Sequence, residues 1–162
     1  MTRVYLSLGS NLEPHRHLRA ALGALHRRFG AITKSPVYCF PAIGFDGPDF
    51  LNLAVGLDTD VDAETLNAWL HGLEDEQGRR RDVPRFSSRT LDIDIVLYGD
   101  LVLKGKDHLD IPRPELDQAF VLKPLADIAP RALHPLLGKT IFDLWREHPA
   151  YSQPFEHVLL QR

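Results

Sequence analysis

Two aspartates carry the first chemical signal. In the run LDIDIVLY, strand alternation puts Leu91, Ile93, Ile95 and Leu97 on one face and Asp92 and Asp94 on the other, with the two acidic Cβ atoms about 7 Å apart. No Lys or Arg stands within the run to pair with them. Two carboxylates about 6 Å apart repel by about 3 kcal/mol at an effective dielectric of 20, and a divalent cation removes that cost. A carboxylate pair with room for water suits Mg2+, which accepts phosphate oxygens as further ligands. The competing reading is a half-exposed strand with solvated acids.

The basic residues favour the first reading. Of 19 Lys and Arg, 14 are Arg, and five of these (Arg79, Arg80, Arg81, Arg85 and Arg89) fall within eleven positions. Arg presents a planar fork that matches phosphate, whereas Lys is a point charge. Arg85 and Arg89 lead directly into the aspartate strand, and Arg79 and Arg81 follow the helix before it. Guanidinium groups beside a metal-binding acid pair are what a polyphosphate ester requires. Basic residues also complement the negative end of a preceding helix, worth about 0.3–1 kcal/mol each, but five exceed that need. Gly138-Lys139-Thr140 resembles the end of a P-loop, yet Leu133 stands where the motif needs Gly, so a turn and helix cap are expected.

A third patch lies in the middle of the chain. Phe50, Asn52 and Ala54 share one strand face, opposite Leu51, Leu53 and Val55. An amide buried there without a partner costs a few kcal/mol. A planar heterocycle stacked on Phe50 would satisfy both residues; a bond from Asn52 to neighbouring backbone is the alternative.

The elements that must position these groups follow from periodicity. Val4 to Leu8 alternates up to a Gly9-Ser10-Asn11 turn, and Pro14 to Phe29 is an amphipathic helix ended by Gly30. Ile32 to Phe40 and Phe50 to Leu57 read as strands separated by a loop containing Pro41, Gly44, Gly47 and Pro48. Asp62 or Thr59 caps a helix whose stripe is Leu66, Trp69, Leu70 and Leu73, and Leu91 to Tyr98 is the fourth strand. The order strand, helix, strand, strand, helix, strand predicts an α+β ferredoxin-like sandwich with an antiparallel sheet. A strand-like piece at Leu101 to Leu103, a helical stretch from Glu115 to Ile128 and a short helix from Thr140 to Trp145 complete it.

At 162 residues one domain, 1–162, is expected. An apolar share of 44% excludes disorder. Cys39 is the only cysteine, which excludes an internal disulfide and thiolate zinc sites. No run is apolar enough to cross a membrane, so a cytoplasmic protein with no membrane partner is expected. The net charge of −3 and the lack of a broad basic face or stacked-aromatic RNA motif argue against nucleic-acid binding.

The segments SLGSNL, PDFLN, RFSSRTLDIDIV and AFVLKPLADIAP, in this order and spacing, resemble the 6-hydroxymethyl-7,8-dihydropterin pyrophosphokinase family of folate biosynthesis, over about Val4 to Leu144. The resemblance implies a ferredoxin-like α/β/α fold and transfer of the β,γ-pyrophosphoryl group of ATP to the pterin hydroxymethyl, releasing AMP. It implies that Asp92 and Asp94 hold two Mg2+ ions that carry ATP, and that Arg79 and Arg89 are catalytic. Arg81 and Arg85 match basic positions of the same loop, Glu74 an acid near the nucleotide, and Arg113 a cation after Pro112. Phe50 and Phe120 match the aromatics that sandwich the pterin, Asn52 the amide that reads its edge, and Ile43 and Gly44 supply backbone. The implied partners are ATP and a reduced pterin, and the chain is a monomer or homodimer.

Departures from the family pattern fall on the nucleotide side. Phe86 stands where Trp is frequent, Ser87 where Gly or Ala is usual, Arg113 where His is usual and Glu115 where Arg is common. The segment before Phe120 is one residue short and lacks an Arg. Glu115 and Asp117 thus bring two acids toward a polyanion, and replacing Glu115 by Arg is expected to tighten MgATP binding. A divergent paralogue that binds pterin or nucleotide with altered transfer is the alternative reading.

Overall fold

The computed structural model describes residues 1–84 and 87–161; Arg85 and Phe86, singled out above, lie outside the described residues. The chain runs β1 (Thr2–Ser10), α1 (Pro14–Phe29), β2 (Thr33–Lys34), β3 (Val37–Phe40), β4 (Phe50–Thr59), α2 (Ala63–Glu76) and β5 (Asp92–Tyr98). Then follow β6 (Leu103–Lys104), β7 (Asp110–Ile111), a 3-10 turn at Pro114–Asp117, α3 (Ala119–Ile128), α4 (Ile141–Arg146) and β8 (His157–Val158). The protein is thus mixed α/β with an antiparallel sheet in the order β5-β1-β4-β3-β8, β2 also pairing with β4.

Both faces of the sheet are covered, because apolar residues alternate on its central strands. On one face Val4, Leu6, Leu8, Leu53, Leu57, Ile93 and Ile95 pack with Leu18 and Leu25 of α1 and Leu66 and Leu70 of α2. On the other, Ala54, Val96 and Leu97 meet Val121, Leu122 and Leu125 of α3 and Ile141 and Trp145 of α4. Each fully buried Leu or Ile contributes about 1.5–3 kcal/mol, so the central strands are the most firmly held part of the chain. Among the described residues no helix is long and apolar enough to cross a membrane.

Local chemistry sets the helix ends. Asp62 caps α2, its carboxylate accepting from the Thr65 N–H at 2.8 Å, and Thr140 caps α4 by accepting from the Asp143 N–H at 3.1 Å. The α2 cap was one of two candidates from sequence; Thr59 instead bonds the Val61 N–H.

Several features differ from the sequence reading. β1 continues through Gly9 and Ser10, because both pair with β4 and the turn begins at Asn11. The expected Ile32–Phe40 strand divides into β2 and β3, since Pro36 has no N–H to donate and the register to β4 slips by one residue there. The helical stretch from Glu115 breaks at Gln118, whose backbone is extended (φ −101°, ψ 139°). In β5 the partners of β1 shift between Tyr5 and Leu6, a bulge that leaves Val96 as an extra residue. Leu97 therefore joins Val96 in the second core rather than sharing a face with Ile93 and Ile95.

Candidate active site

Strand register builds the site. Gly9 of β1 faces Asn52 of β4 on one side and Asp92 of β5 on the other, and Ser7 lies likewise between Ala54 and Asp94. Directly opposed residues point to the same face, so the amide and both carboxylates look out of one side of three adjacent strands, with Asn52 and Asp92 about 10 Å apart across two strand spacings. Gly9 keeps the ground between them clear. A Cβ there would lie 2.6 Å from the Asn52 side-chain nitrogen, so Gly9→Ala is expected to displace the amide. A pterin-binding titration that finds Gly9→Ala at wild-type affinity would count against that arrangement.

The aspartates are 30% and 29% exposed, and each meets guanidinium groups from outside its strand. Arg79 Nη1 lies 3.3 Å from Asp92 Oδ1, Arg89 Nη1 lies 3.2 Å from Asp92 Oδ2, and Arg113 Nη2 lies 3.4 Å from Asp94 Oδ1. The charges that the strand lacks are thus supplied by the loops. Burial and then the Asp92 carboxylate push the Asp94 carboxyl up from its ordinary range, with Arg113 opposing them. Among the described residues no group of three or more His, Cys, Asp or Glu is placed to hold a metal. Two half-buried carboxylates, one of them penalised by the other, fit a cation that keeps waters and takes phosphate oxygens, and do not fit a closed structural metal site.

Beneath the arginines lies Glu74, whose side chain is 3% exposed. Its Oε2 accepts from Arg79 Nη1 at 3.2 Å and from the Ile93 N–H at 2.9 Å, and its Oε1 from Arg81 Nη2 at 2.8 Å. Arg79 also donates to the Leu91 carbonyl at 2.9 Å. Glu74 therefore joins the end of α2, two arginines and the backbone between the two aspartates. Arg81 also serves the helix, donating to the His71 carbonyl at 3.3 Å, while Arg80 turns outward to an exposed pair with Asp82.

On the other side of Gly9, Asn52 is buried at 5%, and among the described residues its side-chain amide makes no hydrogen bond. The backbone alternative for this residue is not what the structure shows. Phe50 has Phe45 edge-on at 6.4 Å and Phe120 has Phe40 at 6.5 Å, while among the described residues no ring contact joins Phe50 to Phe120. Ile43 and Gly44 lie in the loop between β3 and β4, with Ile43 exposed.

The departures also have structural counterparts. Glu115 is paired, its Oε2 lying 3.1 Å from Arg113 Nε, and Arg113 further donates to the His108 carbonyl at 2.8 Å. The expectation that Glu115 is an uncompensated acid is therefore corrected: Arg at this position would set two guanidinium groups together. The smaller change Glu115→Gln is the informative one. It is expected to tighten MgATP by a factor of up to about 5, the range of a partly exposed pair, and to leave pterin binding alone in calorimetry.

Sequence reasoning missed Gly9, which reads as a turn residue, and Asn11, whose contacts are described below. Both needed the strand register, although the pairing of SLGSNL with a downstream acid strand was a usable signal.

An acid pair facing guanidinium forks, with a buried amide on the same sheet face, is an arrangement suited to transferring a phosphoryl-type group to a flat, hydrogen-bonding acceptor. Residues 5–130 match the model of the 7,8-dihydro-6-hydroxymethylpterin-pyrophosphokinase family, and the chain belongs to that family. It is 43% identical over 133 residues to a 2-amino-4-hydroxy-6-hydroxymethyldihydropteridine pyrophosphokinase of Pseudomonas aeruginosa, covering 79% of this chain and 81% of that one. A Haemophilus influenzae enzyme of the same name is 37% identical over 134 residues, covering 80% and 82%. The fold is also similar to a wild-type Plasmodium falciparum HPPK-DHPS crystal structure, with a TM-score of 0.72 at 15% identity over 90% of this chain. The chain spans 44% of the length of that protein.

Proposed function

We propose that this chain transfers the pyrophosphoryl group of ATP to the hydroxymethyl group of 6-hydroxymethyl-7,8-dihydropterin in folate biosynthesis, with its chemistry centred on Gly9. The observation that carries the reading is the placement of Asn52 and the Asp92–Asp94 pair on one sheet face with only a glycine between them. In the transfer the pterin hydroxymethyl oxygen attacks the β-phosphorus, the bond from that phosphorus to the α,β-bridging oxygen breaks, the hydroxyl proton is lost and AMP departs.

Asp92 and Asp94 would hold two Mg2+ ions, which when bound neutralise and align the phosphates. Arg79 and Arg89 both stand on the Asp92 carboxylate and are placed to follow negative charge as it moves to the leaving oxygen. Glu74 acts through Arg79 and Arg81, which it holds, rather than by touching nucleotide. Arg113 and Arg81 provide further cations for ATP, as does Arg85 on the strength of the family resemblance. Phe50 and Phe120 would flank the pterin ring, Asn52 would bond its amide-like edge, and the backbone at Ile43 and Gly44 would add polar contacts. The sheet order and two covered faces support a single ferredoxin-like α/β/α domain, which we read as a cytoplasmic monomer or homodimer.

Incubation with ATP, Mg2+ and the reduced pterin is expected to release AMP in step with pterin consumption. ADP or free phosphate in its place would refute the transfer. Asn52→Ala is expected to weaken pterin binding by about 1–3 kcal/mol, because it leaves a ligand polar group unpaired, with nucleotide binding little changed. Loss of thermal stability with pterin affinity intact would instead make Asn52 a structural residue.

A further inference from the structure

Asn11, where β1 ends, is 4% exposed and sits at the junction of three segments. Its Oδ1 accepts from the Arg89 N–H at 2.7 Å. Its Nδ2 donates to the Pro48 carbonyl at 3.0 Å and to Ser88 Oγ at 3.2 Å. The N–H groups of Asn11 and Leu12 donate to the Arg89 carbonyl at 3.1 and 3.3 Å. Arg89 is thus held through both its amide and its carbonyl at the base of the loop whose guanidinium reaches Asp92 at 3.2 Å.

The network admits one amide orientation, since Arg89 N–H can only donate and the Pro48 carbonyl can only accept. Asn alone supplies a short planar group with an acceptor on one arm and two donors on the other. Asp would lose both donors, and Ala everything. Pro48 belongs to the loop between β3 and β4 that carries Ile43 and Gly44, and Ser88 lies near this loop at Gly47. A Cβ on Gly47 would lie 3.2 Å from Ser88 Oγ and 2.6 Å from the Phe45 ring.

We infer that Asn11 is a positioning residue that sets Arg89 for the transfer step and ties it to the pterin-side loop through Pro48 and Ser88. The inference rests on the role proposed above for Arg89. A backbone shift of about 1 Å at a catalytic group costs on the order of 10²-fold in rate, the scale expected when this amide is removed.

The test is a double-mutant cycle with steady-state kinetics on the full chain. Asn11→Ala is expected to lower kcat by about 10²-fold with KM for ATP changed less than about 3-fold, and in an Arg89→Ala background to lower kcat by less than about 3-fold. Additive losses in the two backgrounds overturn the inference and leave Arg89 in its role. Full turnover in Arg89→Ala alone would instead remove the reading on which the inference depends. If Asn11→Ala does not fold, Asn11→Asp carries the question, because it keeps the acceptor for Arg89 N–H and loses both donors. It is expected to raise KM for the pterin by about 10-fold, the scale of one lost hydrogen bond, while kcat falls less than in Arg89→Ala. Wild-type kcat and pterin KM in Asn11→Asp would overturn the coupling.

Discussion

Replacing Asp92 or Asp94 by Ala is expected to reduce Mg2+-dependent turnover by about three orders of magnitude or more, because a bound cation supplies several kcal/mol of charge stabilisation in the transition state. The fold is expected to survive. Neither side chain lies in either apolar core, and Arg79 keeps Glu74 and the Leu91 carbonyl when Asp92 is removed. Initial rates at saturating Mg2+, with circular dichroism as the control, decide it: near wild-type turnover with unchanged metal affinity would end the metal assignment. Burial and Asp92 push the Asp94 carboxyl up, so metal uptake displaces a proton and Mg2+ affinity should rise with pH until Asp94 is fully ionised.

The second large effect belongs to Arg79 and Arg89. Both guanidinium groups rest on Asp92, so a cation held by that carboxylate would compete with them and leave them to meet phosphate oxygens. Arg79→Ala and Arg89→Ala are each expected to lower kcat by about 10²–10³-fold while changing ATP binding far less, the pattern of a group that acts in the transition state. A raised KM with kcat unchanged would mark them as ground-state binders. Arg79→Ala is also expected to lower stability, since it leaves Glu74, 3% exposed, with one fewer donor.

Much of this was legible before any coordinates. Asn52 stands out because a polar residue amid apolar ones violates the pattern, and the Asp92–Asp94 pair because two acids share a strand face with no cation in the run. The arginine cluster was visible by its density. What escaped was whatever depends on partners distant in sequence. The strand β8 pairs with β3 only through Val158 and His157, and two residues carry no periodicity to detect. The β5 bulge inserts one residue into an otherwise regular run. Glu115 looked like a repulsive acid because its neutralising partner Arg113 acts through a turn that spacing alone does not close. Asn11 had the composition of an ordinary turn residue, and its three side-chain bonds run to Pro48, Ser88 and Arg89.

The bulge at Val96 makes β5 unequal in its tolerance of length changes. Its side chain lies in the core, so exchanging Val96 for another apolar residue alters packing by degrees. Deleting it would straighten the strand. Without the extra residue Ile95 would still face Leu6, Leu97 would face Tyr5 and Tyr98 would face Val4, so the register closes and only the Val96 side chain is lost from the second core. Losing a residue from the regular part of the run, such as Ile93, would instead set Asp92 and Asp94 next to each other and turn one of them into the layer now filled by Ile93 and Ile95.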